Sequence, residues 1–170
     1  MSDRSFPVLL QKLHELEFDY ADGYGYDFDP YPEFMSEAKT RQWVRVWTRD
    51  REDGADLLVF GQDGTGGYAA IWNVRPMAAL LEQPIVFFGS EGSVGVVARN
   101  FAEYLWLLAG GVGPCEAIED PHRPPAPPHI SAQFRRFAEE HARDAQRTPA
   151  EVLRAAAREF PAFKRRYGGE

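Results

Sequence analysis

Between Leu57 and Ala98 the chain runs through four apolar stretches of four to seven residues, Leu57–Phe60, Tyr68–Val74, Ile85–Phe88 and Val94–Ala98. Each is short, rich in aliphatic and aromatic residues and bounded by turn-formers, which predicts a strand. The stretch "FGQDGTGGYAAIW", Phe60 to Trp72, places Gly61, Gly64, Gly66, Gly67 and Asp63 between the first two strands. The turn at Gly89–Ser93 makes a hairpin of the last two. The final strand leads directly into "NFAEYLWLLAGG", a helix with Asn100 at the cap, Glu103 placed to reach back to it, and Gly110 as its stop. A helix that is apolar nearly all round belongs in a core.

The flanks read differently. Ser5 is placed to cap a helix from about Phe6 to Glu17, with Leu9, Leu13 and Leu16 on one face. "FDYADGYGYDFDPYPEF", Phe18 to Phe34, has no sustained period and is predicted as a long loop. Ser36 caps a helix through Thr48 in which Trp43 and Trp47 stack one turn apart beside Val44; the alternative is a strand over Trp43–Thr48, but W-V-R-V-W does not alternate cleanly apolar and polar. "RPMAALLEQP" is a connection with room for one helical turn, and "PHRPPAPPH", Pro121 to His129, is an extended proline strap. Two helices follow, about Ala132–Gln146 and Pro149–Phe160, the second opened by Thr148, Pro149 and Glu151.

At 170 residues the chain is long enough to bury one core. Its longest apolar run lies in Phe101–Ala109, far short of a membrane span. The single cysteine, Cys115, fits a reducing cytoplasm, which is the expected location. Charge is informative by segment. Residues 1–133 hold 20 acids against 10 Lys/Arg, whereas residues 134–170 hold 6 against 9. Between Leu13 and Ala38 there are eight acids and no Lys or Arg. Such a surface repels a phosphate backbone, which argues against nucleic acid, and suits a basic protein partner.

The motifs that could carry chemistry fail on context. Gly64-x-Gly66-x-x-Ala69 fits the relaxed dinucleotide fingerprint, but "YAAIWNVRP" follows it instead of a helix, and Asp63 would repel a phosphate. The better reading is a tight turn whose backbone N–H groups Asp63 binds. "FGSEG" lacks the first glycine of a nucleophile elbow and leads into a strand. Cys115, His122 and His129 match no usual zinc spacing. The acids around Cys115 in "GVGPCEAIED" raise a thiol's pKa and do not activate it. No catalytic residue, cofactor or metal ligand is expected.

The acidic loop remains. Tyr20, Tyr24, Tyr26, Phe28, Tyr31 and Phe34 interleave with Asp19, Asp22, Asp27, Asp29 and Glu33. Tyrosines give large contact area at low entropy cost, and carboxylates between them pair with Lys and Arg of a partner. The expected arrangement has Phe28 and Phe34 inside and the tyrosines at the rim. The expected contacts are Asp22, Tyr24, Tyr26, Asp27, Asp29, Tyr31 and Glu33, with Asp63 and Glu91 from the turns.

"VFGQDGTGGYAAIW" followed by "PIVFFGSEGSVGVVARNFAEYLWLLAGG" resembles the SUKH superfamily, which includes bacterial immunity proteins against polymorphic toxins and fungal regulators of cell-wall synthesis. The resemblance covers about residues 57–111, more weakly the Ser36–Thr48 helix, and lacks the family's early L-P-x-x-[YF] signature, with only "YPEF" near that place. It implies an α+β fold with a mostly antiparallel central sheet of about four to six strands, helices packed on it, no cofactor and a binding role. The resulting division is residues 1–120 as the SUKH-like domain, 121–129 as the strap and 130–170 as a helical extension packed on the same domain. The implied function is a non-enzymatic immunity protein that occludes a cognate toxin domain of nuclease or deaminase type. The alternatives are a regulatory or scaffold module that binds a housekeeping partner, and a small enzyme whose site only the fold assembles. Monomer and homodimer both stay open.

Overall fold

The computed structural model describes residues 4–168. All five strands join one antiparallel sheet in chain order: β1 (Asp29–Pro30), β2 (Leu57–Gln62), β3 (Tyr68–Trp72), β4 (Ile85–Phe88) and β5 (Val94–Ala98). The α+β expectation and the antiparallel sheet are therefore met. The four apolar runs all form strands, and each hydrogen-bonds to its neighbours in sequence. Register shifts opposite Ala69–Ala70 and opposite Ile85–Val86 mark one bulge in β2 and one in β5.

Alternation along each strand sends side chains to two covered faces. Leu58, Phe60, Ile71, Ile85 and Phe87 face a core shared with α1 (Val8–Leu13), α3 (Phe101–Ala109) and α5 (Pro128–His141). Leu57, Val59, Trp72, Val86, Phe88 and Val96 face a second core. That face is closed by Val44 of α2 (Glu37–Thr48), Ala156 of α6 (Pro149–Glu159), and Phe163 and Tyr167 of α7 (Ala162–Tyr167). Sheet residues buried on both faces read as continuous apolar runs, which is why the sequence shows no strict alternation there. Each fully buried large apolar side chain contributes about 1.5–3 kcal/mol.

Local differences from the sequence reading have local causes. The first helix begins at Val8, two residues later than expected, with Pro7 in extended backbone (ψ 139) at its cap position, and a proline disfavours helical backbone at the residue before it. Asn100 Oδ1 accepts from the Glu103 N–H at 2.9 Å as expected, but the Glu103 side chain turns to Arg99 Nε, at 2.9 Å. A buried carboxylate gains more from a guanidinium than from the cap amide. The proline strap ends at Pro127, since Pro128 and His129 open α5, where proline's missing N–H has no cost. The Thr148–Glu151 capping box forms in both directions, at 3.2 and 3.1 Å. Two short helices were not expected: α4 (Pro114–Glu119) and α7. The C-terminal helices are integral to the packing: Trp47 Nε1 donates to the Tyr167 carbonyl at 2.9 Å, and Trp106 Nε1 to the Ala142 carbonyl at 2.6 Å.

Candidate functional site: the acidic turn end of the sheet

Register decides which loops meet. Tyr68 pairs with both Gln62 and Phe88, Phe88 pairs with Val94, and Asp29 pairs with Gln62. The β2–β3 turn, the β4–β5 turn and the start of β1 therefore lie at one end of the sheet. Ser90 Oγ donates to Thr65 Oγ1 at 3.0 Å and ties the two turns together. Helix α4 returns to the same end, where Glu119 lies directly against Gly89.

The glycine loop is a turn built around Asp63. Its Oδ1 accepts from the Thr65 N–H (2.8 Å), the Thr65 hydroxyl (2.9 Å) and the Gly67 N–H (2.8 Å). Gly66 takes the left-handed conformation at φ +98, and a Cβ on Gly67 would sit 2.7 Å from Asp63 Oδ2. A strand follows the turn, not a helix. The loop thus holds two strands together and offers no cradle for a phosphate.

Around Asp63 gathers a group of acids. Asp27 Oδ1 accepts from the Gly64 N–H at 2.8 Å, and the Asp27 N–H donates to Glu116 Oε2 at 3.1 Å. Burial pushes the Asp63 carboxyl up, but bonds from Gly67, Thr65 and the Cys115 thiol outweigh it and hold the group below its ordinary value. Burial pushes the Cys115 thiol up, and Glu116, Asp63 and Asp27 push it further. Glu116 is raised by burial against the pull of the Asp27 N–H and Arg123, and Glu119 by burial, Asp63 and Glu91.

Of the nine expected contact residues, Asp22, Tyr24, Asp29, Glu33 and Glu91 are exposed, and Asp27 and Tyr31 are half-buried. Tyr24 is 71% exposed, and Tyr20, which was not among the expected contacts, is 57% exposed. The Tyr31 hydroxyl donates to Gln62 Oε1 at 2.6 Å and is pushed up to about 12 by burial, Tyr68 and Asp29. Two expectations are corrected. Tyr26 has 0% exposure: its ring packs against Phe18 and Phe134 and its hydroxyl donates to the Leu108 carbonyl at 2.5 Å. Asp63 is 1% exposed, turned inward by the bonds that close its turn. Neither presents a surface to a partner. The group from α4, Cys115, Glu116 and Glu119, was missed as a site, although "GPCEAIE" carries the helix-start signal of proline at the first position.

Among the described residues, no acid from Glu15 to Glu33 makes an ion pair, nor do Asp63, Glu91, Glu116 and Glu119. Arg123 approaches, but its Nη2 donates to the carbonyls of Gly23 (2.6 Å) and Gly25 (3.1 Å). A cavity of about 940 Å³ runs from the β4–β5 turn along β5, between α4, α6 and α7. Ile118, Leu153, Phe160 and Phe163 line it, and Lys164 and Arg165 are its charged residues. No helix is long and apolar enough to cross a membrane among the described residues. Comparison with known protein families, with curated proteins and with solved structures finds no match.

Proposed function

We propose that this protein is a non-enzymatic binding module whose acidic turn end docks on a basic protein surface. The observation that supports this reading is a set of exposed carboxylates with no internal cation partner, Asp22, Asp29, Glu33 and Glu91, together with the exposed rings of Tyr20 and Tyr24. Exposed like charges repel one another, and a basic partner relieves that repulsion while it speeds encounter. The rings supply the area that charges alone do not. The binding reading is also favoured over the enzyme reading by the site's layout. Four titratable groups with displaced pKa values, Asp63, Cys115, Glu116 and Glu119, meet at the turn end, while the cavity beside β5 is lined mainly by apolar residues and two cations.

Within that class, the SUKH resemblance makes the partner a toxin domain and the protein its immunity factor. The test is capture of partners from native cells at low and high salt by the natural chain and by the double variant Asp29→Lys, Glu33→Lys. The expected result is one basic partner, lost in high salt and lost with the variant, whose toxicity is suppressed by co-expression of the natural chain. Capture that survives both treatments removes the acidic face from the interface. A non-toxic partner would instead indicate a regulatory or scaffold module that uses the same face.

A further inference from the structure

We propose that Asp27, Asp63 and Cys115 form a binding site for a divalent transition-metal ion of the zinc class. One carboxylate oxygen from each aspartate and the Cys115 Sγ all lie within 4.8 Å of one another. They come from three separate segments: the strand-entering loop before β1, the β2–β3 turn and the first turn of α4. Zinc takes carboxylate oxygen at about 2.0–2.2 Å and thiolate sulfur at about 2.3 Å. Ligand atoms around a tetrahedral ion therefore sit roughly 3.5 Å apart, which small side-chain rotations reach from the observed spacing.

The second observation is the division of labour within Asp63. Its Oδ1 takes three hydrogen bonds, so the carboxylate's position is fixed. Its Oδ2 is buried and accepts no hydrogen bond from any described N–H or O–H group; the carboxylate's remaining neighbour is the Cys115 thiol. A buried carboxylate oxygen whose only nearby donor is a thiol, a weak one, is poorly compensated, and a cation that replaces the thiol proton fits it better. Asp27 is prepared in the same manner: the Gly64 N–H holds Oδ1, and the bond from the Asp27 N–H to Glu116 fixes the backbone. Glu116, whose Oε2 accepts from the Asp27 N–H, has a buried Oε1 without a hydrogen-bond partner, so a further under-satisfied carboxylate oxygen stands beside the ligand group. Supporting groups of this kind orient ligands around a metal.

The donor set selects the ion. Calcium wants six to eight oxygens and magnesium a near-octahedral oxygen shell, and neither favours a thiol. Two carboxylates with one thiolate suit zinc or cobalt, with water completing the tetrahedron. On binding, the Cys115 S–H bond breaks, sulfur keeps the electron pair as the S–metal bond forms, and the proton leaves to solvent. The ion would staple the loop before β1, the β2–β3 turn and α4 together, independently of any protein partner.

The test uses the full chain stripped with a chelator and titrated with Co²⁺ and then Zn²⁺. The expected result is one ion per chain, a near-ultraviolet thiolate-to-cobalt charge-transfer band, one proton released, and displacement of Co²⁺ by Zn²⁺ but not by excess Ca²⁺. Cys115→Ser should abolish the band, and Asp27→Asn should weaken Zn²⁺ binding by at least about tenfold. Both variants are first shown to melt like the natural chain without metal; Asp63→Asn serves as the third if either does not. Absence of the charge-transfer band in the natural chain overturns the site. So does Zn²⁺ binding of equal strength in the natural chain and Cys115→Ser, or displacement of Co²⁺ by Ca²⁺.

Discussion

The two ends of the sheet treat charge in opposite ways. At the end where β2 begins and β3 stops, three acids, Glu52, Asp56 and Glu159, are paired with arginines. Asp56 accepts from Trp72 Nε1 (3.0 Å) and the Tyr167 hydroxyl (2.8 Å) and pairs with Arg166 (2.9 Å), which also holds Glu52 (2.9 Å). Arg75 pairs with Glu159 and also donates to the carbonyls of Glu82 and Arg99. Those bonds tie α6 and α7 to the strand ends. At the turn end, Asp27, Asp63, Glu91, Glu116 and Glu119 share one corner without a guanidinium on any of them. One end ties Asp56, Glu52 and Glu159 to guanidinium groups across the fold; the other holds Asp27 and Asp63 by backbone amides and pairs none of its acids with a cation. Stability arguments belong to the first end and binding arguments to the second.

The sharpest way to break this comparison is to attack the paired end. Asp56→Ala removes the acceptor shared by Trp72, Tyr167 and Arg166 and leaves the Tyr167 hydroxyl, in a fully buried residue, without its partner. The expected loss is about 2–3 kcal/mol, discounted because the carboxylate is partly wet. Urea unfolding measures it, and a loss below about 1 kcal/mol would mean that the hub does not anchor α7. A smaller effect separates two tyrosines of one loop. Tyr26→Phe should cost about 1 kcal/mol through the lost bond to the Leu108 carbonyl, which keeps a second donor in the Gly111 N–H. Tyr24→Phe should change stability by less than about 0.5 kcal/mol. Equal costs would mean that the inner and outer tyrosines were wrongly divided.

The paired end and the sheet were legible in the sequence to different degrees. Strands at Leu57, Tyr68, Ile85 and Val94 announce themselves because short apolar runs between glycine turns leave little else to form. The caps at Ser36, Asn100 and Thr148 follow from local chemistry, and the side-chain bonds that close them are all present. What local chemistry does not carry is long-range pairing. Asp56 and Arg166, or Asp27 and Cys115, are far apart in sequence, and only the completed sheet and the return of α4 and α7 bring them together. The acidic loop shows the same limit. Tyr24 and Tyr26 are two residues apart in a segment without period, and nothing local says which ring finds Phe134 and the Leu108 carbonyl inside.

The smallest effect is the most telling, because it should carry the opposite sign at the two ends. Glu52→Gln, at the paired end, loses charge attraction to Arg166 and should destabilise by about 0.5 kcal/mol. Glu119→Gln, at the turn end, removes one of several like charges and should stabilise by a few tenths of a kcal/mol, since the group is exposed and screened. The pH dependence follows from the direction of its shift. Burial, Asp63 and Glu91 raise the Glu119 carboxyl in the folded state above its unfolded value. The folded chain therefore binds a proton that the unfolded chain has already lost, and stability falls as pH rises through the folded value. Below the unfolded value, near pH 4, both states are protonated, and Glu119→Gln should match the natural chain. At pH 7 in chelator-treated buffer the variant should be the more stable of the two. Melting of both chains across that range checks it: a gain already present at pH 4, or a loss at pH 7, would show that the turn-end acids do not crowd one another and that the two ends are electrostatically alike.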